Sequence, residues 1–279
     1  MSASLAEVPY AEAEGGVADV YDKLMRWSGS GSPALIFRHL ATFPGLLEWC
    51  WELVGPELED GSLLPALLHV VDTTDGFAMA PLAPALWSDC GIDDDDRALI
   101  ATMLTSYDRM NTVNYGLISA IRDVLASGHA VSEAPAPPPT AAANPPAPAP
   151  RMPAPADIDA MPADVRHAVL KLAAGVPDTD ARVVPTLYRH LALWPPLLLA
   201  VSEPLQHEMD EGTVHAATER LRRNLDPLVG NVTERATRRM ARPAPVADPD
   251  KLVATLDVFH VVIPQLIVVG RAINVALPS

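Results

Sequence analysis

A ten-residue segment occurs twice in this chain, and the duplication constrains the fold more than any other feature. Residues 38–47 read RHLATFPGLL and residues 189–198 read RHLALWPPLL. At the same spacing, each copy leads to an acidic residue followed by glycine, at positions 60–61 and 211–212. A fixed internal repeat indicates two similar structural units that pack against each other.

Composition favours helices for both units. The chain has 279 residues, of which 49% are hydrophobic and only 5% aromatic, with 15 glycines. This content is typical of helices and not of a turn-rich β-sandwich. We therefore predict an all-α protein with two tandem helical repeats that form a pseudo-twofold dimer within one chain. Repeat 1 is predicted over residues 1–130 and repeat 2 over residues 157–279.

The two repeats are joined by a segment rich in alanine and proline, which we place at residues 131–156. Ten of the chain's 29 prolines lie between residues 134 and 156. Because proline lacks a backbone donor, this segment is predicted to be an extended, semi-rigid and poorly packed linker.

Proline and arginine lead to two further structural predictions. Pro44 follows a short helix and is expected to begin the next one, since its missing N–H is not needed in a first helical turn. The predicted helix over residues 214–240 carries many arginines, which we interpret as a solvated face. These are Arg220, Arg222, Arg223, Arg235, Arg238 and Arg239.

Charge and motif content argue against several classes of function. The net charge is −15 and the isoelectric point is near 4.8, which disfavours binding to nucleic acid or to an anionic membrane. There is no signal-peptide pattern and no uninterrupted apolar run of about 18 residues, so we expect a cytoplasmic protein. The chain has no HExxH motif and no EF-hand pattern, and its cysteines form no CxxC. We predict no metal and no cofactor.

One polar segment interrupts an apolar helix predicted over residues 97–126. It reads YDRMNTVNY and spans residues 107–115. A polar group within an apolar helix either faces water or meets a partner. Asn111 is therefore predicted to lie buried between the two halves and to face the helix over residues 183–193. Alternatively, the asparagines bond a neighbouring helix or mark a kink.

The duplicated Arg-His pair is interpreted as a framework element, with a catalytic or anion-binding unit as the alternative. Adjacent residues on a helix point about 100° apart, so the two side chains cannot easily share one task. A structural residue in each half is the simpler account of the duplication.

Several of these segments resemble one known family. The LATFPG sequence at residues 40–45, the Tyr-x-x-x-Asn segment from Tyr107 to Asn111, and the LALWP sequence at residues 191–195 are similar to the group I 2-haloacid dehalogenases. This family is also labelled halocarboxylic acid dehydrogenase. The resemblance implies an all-α pseudo-dimeric fold related to AhpD-like proteins. AhpD-like peroxide chemistry itself needs a CxxC, which this chain lacks.

The resemblance also implies a mechanism and a set of residues. In the family, an aspartate activates a water that displaces halide directly from C2 of a 2-haloacid, without a covalent ester. The asparagine that holds this water corresponds to Asn111, and Asn114 stands where the family has tyrosine. The family's aspartate should lie where this chain has Thr186, Leu187 and Tyr188, none of which is a carboxylate.

Other acids and aromatic residues complete the predicted site. Asp178 and Asp180 are the nearest acids in sequence, and Asp180 is taken as the candidate base with Asn111. The substrate-binding residues are predicted to be Phe37, Tyr107, Asn114, Leu187 and Tyr188.

Three functional hypotheses remain open from the sequence. The chain is a divergent hydrolase that acts on the carbon-halide bond of a small 2-haloacid, or a non-catalytic protein that binds a small carboxylic acid, or a helical interaction module whose linker docks a partner. We also expect that two copies of the chain could form a homodimer.

Overall fold

The computed structural model describes residues 5–127, 144–148, 152–174 and 184–278. Within these ranges all regular structure is helical, which confirms the all-α prediction. The α-helices of the described ranges are α1 Gly15–Ser28, α2 Leu35–Leu40, α3 Leu46–Glu59, α4 Leu63–Thr73, α5 Leu86–Asp89, α6 Asp94–Ser127, α7 Ala163–Ala174, α8 Thr186–Leu191, α9 Pro195–Asp210, α10 Thr213–Arg239 and α11 Pro249–Ala276. Single 3-10 turns occur at Tyr10–Glu12 and Ile158–Ala160.

The long helices α6 and α11 form the centre of the molecule and run antiparallel. Three polar contacts join them, and their order reverses from one helix to the other. Along α6, Asp108, Ser119 and Arg122 contact, in turn, Arg271, His260 and Asp257 of α11. At the N-terminal end of α6, the carboxylate of Asp93 accepts a hydrogen bond from the backbone N–H of Asp96. The acidic run therefore caps this helix, as such a position favours.

Two hydrophobic cores flank this helix pair, and both use it. Core A contains buried side chains of α1 to α4 and α10 together with those of the second part of α6, from Val113 to Val124. Core B contains buried side chains of α7 to α9 together with those of the first part of α6, from Ile100 to Tyr107. Helix α11 contributes to both cores. Each core thus combines helices from both halves of the sequence, and the proposed boundaries of two repeat domains stay a prediction.

The two copies of the repeated segment have similar local geometry. Helices α2 and α8 are both six residues long. The backbone N–H of Val8 donates to the carbonyl of Arg38, and that of Ala156 donates to the carbonyl of Arg189, at 3.0 and 3.1 Å. The glycines that follow α3 and α9 have φ values of 75° and 78°, which glycine adopts without strain. Superposition of the complete halves about a pseudo-twofold axis remains a prediction.

The role predicted for Pro44 is wrong in detail. Helix α3 begins at Leu46, and Gly45 precedes it with a φ of 75°. This left-handed conformation is not helical, so Pro44 lies in the turn before α3. In the second copy Pro196 replaces this glycine, and α9 begins at Pro195 as a proline-initiated helix should.

The end of the predicted linker is packed, which corrects the expectation of a poorly packed segment throughout. Met152 and Ala156 are partly buried against core B. Ala156 exchanges two hydrogen bonds with Arg189, because its N–H donates to the Arg189 carbonyl and its carbonyl accepts from Arg189 Nε at 3.0 Å. Residues 128–143 and 149–151 lie outside the described residues, so the rest of this prediction is not addressed.

The arginine-rich face of α10 is not only a solvated surface. Glu57 of α3 is completely buried, and its two carboxylate oxygens pair with Arg235 and Arg239. Arg239 also donates to the carbonyl of Leu53 at 2.9 Å. A buried carboxylate requires such partners, because desolvation would otherwise strongly oppose its charge. These arginines therefore fasten α10 to α3.

Helix α11 has the length and composition of a membrane span. Its most apolar window has a mean hydropathy of 2.1, but 61% of that window is buried inside the protein. The central helix of a two-core fold meets the same criterion, so this feature is weak evidence for a membrane span.

We expect Glu57→Ala to lower the free energy of unfolding by about 3 to 5 kcal/mol, because it leaves two partly buried arginines without their counter-ion. Urea denaturation measures this change. The matched control is Glu52→Ala, which breaks the exposed pair with Arg242 and should cost less than about 1 kcal/mol. Equal losses of unfolding free energy in the two variants would contradict a special role for the buried group of Glu57, Arg235 and Arg239.

Candidate functional site

The polar segment of α6 is buried where the helix passes from core B to core A. Tyr107 belongs to core B and Val113 to core A. Between and beside them, the exposed fractions of Asn111, Thr112 and Asn114 are 5%, 0% and 4%. The prediction that Asn111 is buried is thus confirmed. The segment thus places buried amide side chains where the two cores meet.

Tyr107 connects α6 to α8 through a directed chain of hydrogen bonds. Its hydroxyl lies 2.5 Å from Nδ1 of His190, and Nε2 of His190 lies 2.9 Å from the carbonyl of Pro153. A carbonyl only accepts, so Nε2 must carry the proton and Nδ1 must accept from Tyr107. Burial raises the pKa of Tyr107 and lowers that of His190, which keeps both groups neutral.

Two buried donors near the hydrogen bond between Tyr107 and His190 lack a hydrogen-bond partner among the described residues. They are Nδ2 of Asn111, one helical turn beyond Tyr107, and the hydroxyl of Tyr188, two residues before His190. Burial also raises the pKa of Tyr188, so its hydroxyl keeps its proton. An unpaired buried donor costs about 1 to 3 kcal/mol. A ligand that presents acceptor oxygens would remove this cost.

The duplicated arginines give this region a positive potential. Burial is the main influence on the pKa of Tyr107, but Arg189 and Arg38 both act on it in the opposite direction through their charges. One arginine comes from each copy of the repeated segment. Arg38 forms a 3.3 Å ion pair with Glu7, and its Nε is buried without a partner among the described residues. Positive charges from both copies of the repeated segment therefore act on Tyr107.

The structure places no general base at the position where the resemblance expects one. Leu187 is completely buried in core B, and one of its methyl groups lies 3.8 Å from where a Cβ on Gly270 would be. The acid closest in sequence to Asn111, Asp108, is engaged by Arg271 through both carboxylate oxygens at 2.8 and 2.9 Å. Asp178 and the candidate base Asp180 lie outside the described residues.

The predicted substrate-binding residues are divided between the cores. Tyr107, Leu187 and Tyr188 belong to core B, whereas Phe37 is buried in core A. Asn111 and Asn114 lie on the α6 segment that connects the two. The contact of Tyr107 with His190 places this face of α6 against α8. The sequence analysis predicted that Asn111, one turn further along α6, faces the same helix. Direct contact of Asn111 with α8 remains a prediction.

A second polar cluster, which the sequence analysis missed, surrounds His260 of α11. Ser119 Oγ lies 2.8 Å from Nδ1 of His260, Arg222 Nη2 lies 3.0 Å from Nε2, and the ring of Tyr115 stacks on the imidazole with centroids 5.3 Å apart. The sequence feature that could have revealed this cluster is a histidine in an otherwise apolar stretch of α11.

This serine and histidine do not form a nucleophile-base pair. Arginine can only donate, so Nε2 of His260 accepts from Arg222 and Nδ1 carries the proton. Nδ1 therefore donates to Ser119 and cannot take its proton. Burial first, and then the charges of Arg222 and Arg122, lower the pKa of His260 to about 4. Among the described residues, no group of three or more His, Cys, Asp or Glu is arranged to hold a metal ion.

This all-helical fold, in which two cores share a pair of long antiparallel helices, is similar to that of solved D-2-haloacid dehalogenase structures. The chain is similar to a solved structure of a D-2-haloacid dehalogenase mutant in complex with D-2-CPA, with 16% identity and a TM-score of 0.63 over 98% of this chain and 94% of the other. A structure of D-2-haloacid dehalogenase with L-LA gives the same values. A further mutant structure of that enzyme matches with 15% identity and a TM-score of 0.62.

These likenesses show the fold and leave the activity of this chain open, because the sequence identity is low. No protein-family model matches the chain, and no curated protein matches it. Membership of the group I 2-haloacid dehalogenases therefore stays a prediction from the sequence motifs.

The His260 cluster predicts acid sensitivity. The imidazole is neutral when folded, so the unfolded chain binds one more proton between pH 6.5 and about 4. The free energy of unfolding should fall across this window as pH decreases, by about 3 kcal/mol at most. His260→Gln should remove this slope in urea denaturation at several pH values, whereas exposed His69→Gln should keep it. An unchanged slope in His260→Gln would contradict the assignment.

Proposed function

We propose that this chain binds a small 2-substituted carboxylic acid at the junction of its two cores and does not hydrolyse it by the route of the 2-haloacid dehalogenases. The observation that carries the proposal is that two buried donors, Nδ2 of Asn111 and the hydroxyl of Tyr188, have no partner among the described residues. The positive charges of Arg38 and Arg189 act on Tyr107, one helical turn from Asn111. A carboxylate offers acceptor oxygens to such donors and a negative charge to such arginines.

The fold supports the same class of ligand. The similar solved structures are of D-2-haloacid dehalogenase, described in complex with D-2-CPA or L-LA. Transferred to this chain, that likeness favours a short 2-haloacid or 2-hydroxy acid, since the hydrogen-bonding ends of these molecules are the same. The group I family, with Asn111 holding a water or a carboxylate oxygen, is part of this proposal.

The absence of hydrolysis follows from Leu187. Direct attack of water on carbon requires a base within hydrogen-bond reach, and an aliphatic side chain cannot accept a proton. Asp108 is bound to Arg271 and is not free to replace the missing aspartate. Hydrolysis with Asp180 as the base is the competing outcome, and it is tested directly below.

Binding is expected to raise the midpoint of thermal unfolding in the presence of D- or L-2-chloropropionate or lactate. Propionamide, which has no charge, should have little effect. Tyr188→Phe removes only a hydroxyl and Asn111→Ala removes the amide, and each should weaken binding about tenfold or more, because a hydrogen bond to a charged group is lost. Asn274→Ala, the same change at an exposed position of α11, is the control. Unchanged affinity in both site variants would place the acid elsewhere.

Halide release from 2-chloropropionate by the unmodified protein should stay at the level of the buffer. Loss of a positioned base costs about 10²- to 10⁴-fold in rate. If chloride is released and the release disappears in Asp178→Asn with Asp180→Asn, the chain is a hydrolase with a displaced base. Release that persists in that double variant would show that the base lies at a position outside this proposal.

Leu187→Asp offers the reciprocal test. It places a carboxylate where the related enzymes have theirs, so chloride release should rise above that of the unmodified protein. The free energy of unfolding should fall by several kcal/mol because a charge enters an apolar core. Leu191→Asp, at another completely buried position of α8, is the control for destabilisation and should release no chloride.

A further inference from the structure

A cavity of about 190 Å³ lies between the end of α4, α10 and the C-terminal part of α11. Its walls are mostly apolar and include Phe77, Leu221, Ile267 and Val275. None of the residues predicted for the carboxylic acid lines it. The cavity opens to solvent beside Asp75, Ala78 and Val275, which are exposed. Its volume is similar to the roughly 150 Å³ of an engineered enclosed cavity that holds benzene.

The wall formed by residues 74–78 is held in place by α10. Asn224 Nδ2 donates to Thr74 Oγ1 at 2.9 Å, and Arg220 Nη1 donates to the carbonyl of Asp75 at 2.6 Å. Thr74 Oγ1 in turn donates to the carbonyl of Val70 at 2.7 Å. The cavity is thus lined by a tethered loop and three helices, and a ligand would not have to order it.

The charged groups at the cavity are already satisfied. The guanidinium of Arg271 donates to both carboxylate oxygens of Asp108, to Asp72 and to the carbonyl of Val71. With the exposed carboxylate of Asp75, three carboxylates stand against two guanidinium groups, those of Arg271 and Arg220. An anion entering this cavity would therefore meet net negative charge and lose part of its hydration.

We propose that this cavity is a second ligand site, which takes a small, uncharged, apolar molecule. The two sites differ in their polar groups. At the junction of the cores, buried donors lack partners and can bind an acceptor, whereas at this cavity the polar groups are paired and the walls are apolar. Burial of apolar surface is the interaction that such a site offers, at about 25 cal/mol per Å².

The test measures binding by ligand-observed NMR and thermal shift with four probes of similar size. Toluene and indole are uncharged, benzoate is an anion and benzylamine at neutral pH is a cation. The uncharged probes should bind and raise the midpoint of unfolding by about 2 to 5 °C at ten times their dissociation constant. Benzoate and benzylamine should each bind at least tenfold more weakly than toluene. Equal or stronger binding of either charged probe, or no binding of either uncharged probe, overturns the proposal.

Variants locate the bound probe. Ala217→Leu fills the cavity from α10 and should weaken toluene binding at least tenfold, whereas Ala216→Leu, on the adjacent exposed position, should leave it unchanged. If Ala217→Leu does not fold, Ala78→Phe at the exposed loop wall serves the same purpose without entering a core. Toluene binding that withstands both cavity variants refutes the assignment. Asn111→Ala should leave it unchanged, which separates this site from the carboxylic acid site.

Discussion

The antiparallel contact between α6 and α11 is the interaction on which the rest of the structure depends. Both cores are built against this pair, and polar contacts fix its register at Asp108 with Arg271, Ser119 with His260, and Arg122 with Asp257. Apolar helices slide past one another at low cost, whereas a shift of one turn here would leave several charged groups without partners. The register in turn decides which residues of α6 lie at the junction of the cores.

The protein contains two kinds of buried polar group: those paired within the protein and those without a partner among the described residues. The carboxylate of Glu57 is matched by two arginines within the protein and holds helices together. The donors of Asn111 and Tyr188 are unmatched among the described residues. Natural proteins leave few buried donors without partners, which is the physical reason for the proposed binding of an acceptor there.

The sequence predicted the helical class, the burial of Asn111 and the positions of most helices, because these follow from apolar periodicity and from glycine and proline at helix ends. It did not reveal that α10 turns Arg235 and Arg239 towards Glu57, because arginine on a helix surface usually faces water and only the neighbouring helix decides otherwise. The pairing of His260 with Ser119 was invisible for a similar reason, since the two residues are far apart in the chain. Contacts between distant segments depend on register, which local patterns do not encode.

The packed end of the linker and the side chain of Leu187 differ in how much they depend on residue identity. Residues 153 and 156 bind α8 through backbone carbonyls and an amide, so almost any sequence could supply the same contact. Leu187, by contrast, is a single side chain whose identity separates a site with a base from one without.

The shared use of α11 by both cores has a consequence for synthesis of the protein. A chain made from its N-terminus exposes the apolar faces of α3, α6, α9 and α10 before α11 is synthesised, and neither core can close without α11. Closure of the two cores is therefore coupled in time, and the open apolar faces are within reach of chaperones until α11 packs against them.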